Sequence, residues 1–298
     1  MKQKRTRKFK WTPYLYVAPF FIGYTLFSLY PTLYAFWLSF FEWDGIGDKL
    51  FIGITNYADA VHNEFFLHSL LVSAEYVLTG PITTFFALLM AFVLNSRLIV
   101  RPGIYKMSYF IPYITMPIAV GILFKMLLGW EYGIINKLLS MLGLIEANIN
   151  WLGESKYVFF CIALVVVWKY FGYHMIIYLG GLQSVDTTLY EAAKIDGANS
   201  AQIFMRITVP LLKPYIVLLL LNSINGGMNL FDEPMMLYGA SGGPNGAAQN
   251  SGMFNYFTTF VSNRWGFGSA VSVITFVIVC VLSIIFYKIN YHAGMEGD

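Results

Sequence analysis

Charged residues are scarce in this chain, since Asp, Glu, Lys and Arg make up only 12% of its 298 residues. A soluble globular domain carries about 25% charged residues and uses them to cover its surface. Hydrophobic residues instead reach 57%, and the mean hydropathy is +0.61. Because a surface that faces lipid needs little charge, the composition predicts an integral membrane protein and excludes a soluble domain.

Several chemical motifs are also missing. The sequence has no G-x-x-x-x-G-K-[ST] phosphate loop, so it cannot bind ATP in that way. Only two cysteines occur, Cys161 and Cys280, and both lie in apolar runs, where we expect them to pack as small hydrophobic side chains. The net charge of +3 is spread along the chain, which argues against nucleic-acid binding.

Long apolar runs dominate the chain. A transmembrane helix needs about 20 mostly apolar residues. The first such run is too long for the core of a cleaved signal peptide, so we expect it to be retained. We therefore predict an all-α polytopic membrane protein with six transmembrane helices. The predicted spans are 14–40, 69–94, 105–128, 157–179, 211–231 and 268–288.

Basic residues fix the predicted orientation, because cytoplasmic segments carry an excess of Lys and Arg. The N-terminus is strongly basic, and Arg97, Arg101 and Lys106 fall on the same predicted side. We therefore expect a basic cytoplasmic N-terminus at 1–13, a transmembrane domain at 14–288 and a cytoplasmic tail at 289–298. The basic residues of the N-terminus are Lys2, Lys4, Arg5, Arg7, Lys8 and Lys10. The predicted outside loops are 42–68, 129–156 and 231–267, and Gly242-Gly243-Pro244 marks a fixed turn in the last of them.

Residues 181–210 form the longest polar stretch on the cytoplasmic side. Asp186 can cap a helix over 187–195 that Gly197 ends. Asn199 with Gln202 resembles a capping box that opens a second helix ending before Pro210. The first helix places Leu189, Ala192, Ala193 and Asp196 on one face. From the residues alone, a loop folded against its own bundle and a docking surface for another protein stay equally open.

A short motif in this segment is characteristic. Glu191-Ala192-Ala193 is followed in register by Gly197, Ile207 and Pro210, which resembles the EAA loop of binding-protein-dependent ABC importers. The chain is similar almost throughout to sugar-importer permeases of the maltose and glycerol-phosphate type. The further matching stretches are Phe51-Ile52-Gly53-Ile54-Thr55-Asn56-Tyr57, Phe110-Ile111-Pro112, Asn150-Trp151-Leu152, Gly181-Leu182-Gln183 and Ser241-Gly242-Gly243-Pro244.

The resemblance implies a type I ABC importer permease fold in a bacterial or archaeal cell membrane, and transport of an oligosaccharide or related polyol. It implies partners as well: a second homologous permease in a heterodimer, two ATPase subunits, an extracellular solute-binding protein and membrane lipid. ATP and Mg would be bound by the ATPase, with no cofactor, metal or catalytic residue in this chain. The residues implied in coupling to the ATPase are Glu191, Ala192, Ala193, Asp196, Gly197 and Ala198.

A polar solute needs polar groups inside the bundle. Asn222, Asn225 and Asn229 follow one another at helical spacing in the fifth predicted span, with Gly226 on the same face. They predict a path for a solute with hydroxyl groups, and the alternative is hydrogen bonding between helices. The fourth span adds Trp168, Lys169 and Tyr173 to the predicted path, although Lys169 can instead pair internally.

Two other functions remain as alternatives. An ion-coupled secondary transporter should carry paired carboxylates inside the membrane, whereas the acids, including Glu75, fall at predicted span ends or in loops. A membrane-embedded enzyme should cluster its histidines, but they are scattered over the predicted topology. The four are His62, His68, His174 and His292.

Overall fold

The structure is a computed structural model that describes residues 12–95, 99 and 101–295. The six basic residues of the N-terminus, Arg97 and the end of the predicted tail, 296–298, lie outside the described residues. The α-helices are Thr12–Tyr24, Tyr30–Leu38, Thr55–His62, Glu64–Val77, Thr79–Leu94, Pro102–Ile114, Pro117–Leu127, Ile134–Met141, Ser155–Gln183, Thr187–Ile195, Ser200–Ile203, Val209–Leu211, Lys213–Met228, Asp232–Tyr238, Ser251–Tyr256 and Trp265–Met295. Short π-helical segments occupy Thr25–Leu29, Phe204–Thr208 and Phe257–Val261, and a 3₁₀ turn occupies Pro244–Gly246.

The helices that can cross a membrane agree with most of the predicted spans. By length and composition, three described helices qualify: Glu64–Leu94, Ser155–Gln183 and Trp265–Asn290. Two bent helix pairs raise the number to as many as five. The first predicted span, 14–40, is helical over 12–38 but is not among these, and its many tyrosines reduce its apolar character. The count of six therefore stays a prediction.

The chain packs as two compact units. The first is formed by residues up to Val61 together with Thr258–Ile274. Within it, strands Phe41–Glu42 and Leu50–Phe51 pair antiparallel, with Phe41 opposite Phe51. The amide of Asn56 holds the start of this hairpin, because its Nδ2 atom donates to the carbonyls of Ser39 at 3.0 Å and Phe41 at 2.9 Å.

The second unit contains His62–Phe257 and the chain after Ile274. Helix Glu64–Leu94 packs on Ser155–Gln183 and on Lys213–Met228. Small residues permit the close crossings: a Cβ atom at Gly227 would lie 2.6 Å from the backbone nitrogen of Val77. Small residues at helix interfaces are typical of membrane bundles, where backbones approach closely.

The third predicted span, 105–128, is not a straight helix. Helices Pro102–Ile114 and Pro117–Leu127 meet at an angle of 97°. Met116 precedes Pro117 and has an extended ψ of 135°, as the steric bulk of a following proline favours. The sequence indicated a proline kink, and the structure shows a sharp break at this point.

The segment after Lys213–Met228 contains a short helix. Residues 231–267 were expected to lie outside the membrane, and that position stays a prediction. Helix Asp232–Tyr238, which we call the inserted helix, packs on Pro117–Leu127 and on Ser155–Gln183. The turn that follows is confirmed as fixed, because Gly242 and Gly243 have φ values of 67° and 75°, which glycine adopts without strain.

Candidate functional site: a coupling loop and a polar cavity

The polar stretch at 181–210 folds largely as the sequence predicts. Helix Thr187–Ile195, the coupling helix, begins after Asp186, whose carboxylate accepts a 2.9 Å hydrogen bond from the backbone N–H of Thr188. This hydrogen bond lowers the pKa of Asp186, because it favours the ionised carboxylate. The predicted N-cap is therefore confirmed.

Gly197 ends the coupling helix through a Schellman motif. Its φ is +81°, and its N–H donates to the carbonyl of Lys194 at 3.1 Å. The N–H of Ala198 donates to the carbonyl of Ala193 at 2.9 Å, which completes the motif. A glycine is suited to this position because a left-handed backbone conformation strains residues that carry a Cβ atom.

The second helix also has its predicted cap but runs further than expected. Asn199 and Gln202 form a reciprocal capping box, with hydrogen bonds of 2.9 and 2.8 Å. The helical chain then continues through the π segment Phe204–Thr208 to Leu211, so the prediction that it ends before Pro210 was wrong. A proline does not fit the interior of a regular helix. The π segment changes the backbone hydrogen bonding just before Pro210 and so allows the helix to continue.

The coupling helix leaves its apolar side chains in solvent. None of its residues is buried; Leu189 is 48% exposed and Ile195 is 85% exposed. A contact between the hydroxyl groups of Tyr190 and Thr208, at 3.4 Å, links it to the continuation of the second helix. Of the two interpretations left open by the sequence, an uncovered apolar face favours a docking surface.

A cavity of about 160 Å³ lies between the membrane helices. It contains two of the residues predicted for the solute path, Asn222 and Tyr173, but not Asn225, Asn229 or Trp168. Its lining residues are Thr79, Gly80, Thr83, Tyr113, Val166, Tyr170, Tyr173, His174, Asn222, Ser223, Gly226, Gly227 and Leu230.

One wall of this cavity is aromatic. The rings of Tyr113 and Tyr173 are stacked, with centroids 4.7 Å apart and an interplanar angle of 14°. Tyr170 meets Tyr113 edge to face at 5.8 Å. The lining also includes Asn222 and the hydroxyl-bearing residues Thr79, Thr83 and Ser223. Apolar ring faces combined with neutral donors and acceptors suit a polar, uncharged solute.

Asn225 and Asn229 lie outside this cavity. Nδ2 of Asn229 donates to Oδ1 of Asn225 at 3.0 Å and to the backbone carbonyl of Asn225 at 3.1 Å. Both side chains are exposed in this chain, and Asn229 caps the end of helix Lys213–Met228. The two amides thus bond along their own helix, while Asn222, one turn earlier, contacts the cavity.

Lys169 pairs internally, as the alternative interpretation proposed. Its Nζ atom lies 2.7 Å from Oε1 of Glu233, and both side chains are buried. Glu233, which follows the end of the fifth predicted span, is therefore buried and paired. Glu75 lies within helix Glu64–Leu94 with an exposed side chain. Whether either acid lies at a membrane boundary stays a prediction. Trp168 lies to the side of the Lys169–Glu233 pair, with its ring 5.3 Å from that of Phe124.

Several cavity residues were not identified from the sequence. Thr79 and Thr83 are spaced four residues apart on one helix face, and this spacing was a usable signal. Tyr113 and Tyr170 are common aromatic residues of membrane helices and carried no comparable signal. Their juxtaposition depends on how helices Pro102–Ile114 and Ser155–Gln183 cross.

Comparison with known proteins shows which family this chain matches. The family model described as binding-protein-dependent transport system inner membrane component matches residues 83–292. The arabinooligosaccharides transport system permease protein AraP of Bacillus subtilis is 34% identical over 97% of this chain and 91% of its own length. The trehalose/maltose transport system permease protein MalF of Thermococcus litoralis is 32% identical over 93% of this chain and 92% of its own.

The fold is also found in a solved structure. A chain from the crystal structure of a bacterial alginate ABC transporter, in complex with an alginate pentasaccharide-bound periplasmic protein, superposes with a TM-score of 0.81. The alignment covers 95% of both chains at 20% identity.

Proposed function

Because this chain belongs to the binding-protein-dependent transport system inner membrane components, we propose that the solute it carries is an oligosaccharide or related polyol. It is a multi-pass membrane protein that acts as the permease subunit of an ABC transporter, together with other components of that transporter. It is a transport subunit and not an enzyme, and ATP is hydrolysed on a separate subunit.

The chemistry of the cavity lining is the observation that best supports this class of solute. Among the described residues, no carboxylate and no ammonium group lines it. Stacked Tyr113 and Tyr173 offer flat apolar faces, and Asn222 offers both a donor and an acceptor to hydroxyl groups. The names of two relatives, which refer to arabinooligosaccharides and to trehalose and maltose, agree with such a solute.

The solute path extends from this cavity along helix Lys213–Met228. Asn225 and Asn229 continue the polar face beyond Asn222 and are exposed in this chain. Trp168 and Lys169 lie behind the cavity wall, next to Tyr170, which takes part in it. They act on the path through their neighbours, whereas Asn222 and Tyr173 meet the solute.

The ATPase docks on the coupling helix. Ala192 and Ala193 allow a close approach, the exposed Leu189 supplies apolar contact, and Glu191 fixes the geometry of the loop. The coupling helix ends at Asp196, Gly197 and Ala198, and this end sets the direction of the chain that follows. ATP and Mg are bound by the ATPase, and this chain holds no cofactor.

The complete transporter contains a second, homologous permease in a heterodimer, two ATPase subunits and an extracellular solute-binding protein, surrounded by lipid. Both termini of this chain are cytoplasmic. The coupling helix is therefore on the inside and the segment 129–156 is outside.

Transport is tested with the assembled complex in proteoliposomes, using labelled arabinooligosaccharides, maltose and trehalose as separate solutes. We expect uptake of at least one of them that requires ATP and the binding protein. Uptake that continues without the ATPase and stops when a proton or sodium ionophore is added would instead establish the ion-coupled transporter.

The orientation is tested with single cysteines at two exposed sites. Ile195 and Tyr132 are 85% and 92% exposed, so the variants Ile195→Cys and Tyr132→Cys present accessible thiols in cells that express this chain without the ATPase. A membrane-impermeant maleimide added to intact cells should label the Tyr132→Cys protein, and the Ile195→Cys protein only after the cells are opened. The reverse order of labelling would overturn the topology.

A further inference from the structure

The Lys169–Glu233 ion pair joins two distant parts of the chain inside the bundle. Lys169 lies in the middle of helix Ser155–Gln183, and Glu233 lies in the first turn of the inserted helix. The N–O distance is 2.7 Å, and the side chains are 7% and 3% exposed. Removing two charges from water is unfavourable, so such a pair persists only where its geometry is good.

Apolar packing also holds the inserted helix in this position. Pro234 and Leu237 are buried with Glu233. Met236 packs closely against Gly121, so that a Cβ atom at Gly121 would collide with the Met236 side chain. Apolar packing holds the helix in the bundle but does not define its register strongly. The ion pair is directional, and it fixes one turn of the inserted helix to one turn of Ser155–Gln183.

The same pair contacts the aromatic wall of the cavity. Nζ of Lys169, which Glu233 holds at 2.7 Å, lies 5.5 Å from the ring centroid of Tyr170. Tyr170 in turn lies edge to face on Tyr113, which is stacked on Tyr173. A continuous set of contacts therefore leads from the ion pair to the rings that line the cavity.

We propose that Lys169 and Glu233 are positioning residues that set the solute affinity of the cavity by holding Tyr170, and through it the stacked pair of Tyr113 and Tyr173, in place. Neither charged group lines the cavity, so neither touches the solute. This inference rests on the proposed function, because it assigns the solute to this cavity. It makes the ion pair a determinant of affinity and not a solute-binding site.

The test compares four variants in the reconstituted complex. Glu233→Gln breaks the pair, whereas Lys169→Met with Glu233→Leu removes both charges and so avoids a lone buried charge. Lys169→Arg keeps both charges of the pair. Lys156→Gln is the control, because it breaks the exposed ion pair of Lys156 and Glu154 in the way that Glu233→Gln breaks the buried one. The measured quantities are the half-saturation concentration, the maximal uptake rate per inserted complex and the amount of inserted protein.

We expect Glu233→Gln and the double apolar variant to raise the half-saturation concentration about tenfold, with maximal rates within about twofold of the wild type. Lys169→Arg should raise the half-saturation concentration less than Glu233→Gln does, because it keeps the charge of the pair but not the shape of the ammonium group. Lys156→Gln should stay within about twofold in both quantities. A double variant with normal half-saturation would overturn the proposal, since the pair would then serve folding alone.

A second measurement does not depend on the identity of the solute. Asn222→Cys places a thiol in the cavity wall, and its rate of reaction with a small maleimide in the purified complex reports on the packing there. The parent protein corrects for Cys161 and Cys280. Glu233→Gln should raise this rate about threefold or more, because Tyr170 is released. Absence of saccharide uptake by the wild type would refute the proposed function, whereas an unchanged maleimide rate would refute the positioning role.

Discussion

Nε1 of Trp151 donates a 2.8 Å hydrogen bond to Oδ1 of the buried Asn136. The Nδ2 atom of the same asparagine donates to the carbonyls of Trp130 at 3.0 Å and Ile149 at 2.9 Å. One side chain therefore joins three stretches of the segment 129–156. The Asn150-Trp151-Leu152 motif has its structural reason here, because the indole needs a buried acceptor.

Replacing Asn136 with Ala should destabilise the protein by about 3 kcal/mol, because a buried donor or acceptor that loses its partner costs about 1–3 kcal/mol. The measurement is the thermal unfolding of the purified protein in detergent. Asn148→Ala is the matched control, since Asn148 is exposed and makes one long bond of 3.4 Å to Glu131. Equal midpoints for the two variants would contradict the role of Asn136.

Replacing Gly172 with Leu should prevent correct folding. A Cβ atom at Gly172 would overlap the carbonyl oxygen of Tyr109, so helices Pro102–Ile114 and Ser155–Gln183 could not cross as they do. Gly180→Leu is the control on the same helix, because a Cβ atom at Gly180 meets nothing within 4 Å. We expect the Gly172 variant to lose most of its monodisperse protein in size-exclusion chromatography, while the Gly180 variant keeps it. Similar elution of both variants would argue against this crossing.

Replacing Gly197 with Val should release the ATPase while leaving the chain inserted. The left-handed conformation at φ +81° costs a residue with a Cβ atom about 1–2 kcal/mol, and a β-branched residue more. Gly197→Asn is the control, since Asn tolerates this conformation. Co-purification of the ATPase should fall strongly for Val and little for Asn. Retention of the ATPase by the Val variant would mean that the end of the coupling helix does not affect docking.

Replacing Asn222 with Leu should raise the half-saturation concentration for uptake about tenfold, because the cavity loses a hydrogen-bonding group. Asn229→Leu is the comparison, since Asn229 belongs to the same helix face but does not line the cavity. Its effect should be smaller. If Asn229→Leu raised the half-saturation concentration as much as Asn222→Leu does, or more, the solute site would lie further along the helix, away from Tyr173.

Local signals in the sequence were sufficient for the coupling loop. Asp186, Gly197 and the Asn199–Gln202 pair were each identified from residue type and spacing, and each performs the predicted cap or stop. These interactions link residues at most a few positions apart, so the sequence contains all their participants. The one local error was Pro210, where the π segment at Phe204–Thr208 lets the helix continue.

Long-range relationships were not accessible in the same way. Lys169 and Glu233 are 64 positions apart, and nothing in the sequence indicates which acid returns to the bundle. The prolines predicted a kink but not its angle of 97°, and the packing of Pro117–Leu127 on the inserted helix could not be predicted either. Asn222 could be placed on a polar face, whereas its contact with the cavity required the positions of Tyr113 and Tyr173.

The uncovered coupling helix has a consequence for the amounts in which the cell must synthesise the subunits of the transporter. Under the proposed docking, copies synthesised without an ATPase leave Leu189 and Ile195 in solvent, and exposed apolar side chains invite aggregation and proteolysis. Orphan copies should therefore be short-lived, and pulse-chase labelling should show a longer half-life when the ATPase is co-expressed. Balanced synthesis of the subunits thus becomes a requirement that originates in one short helix.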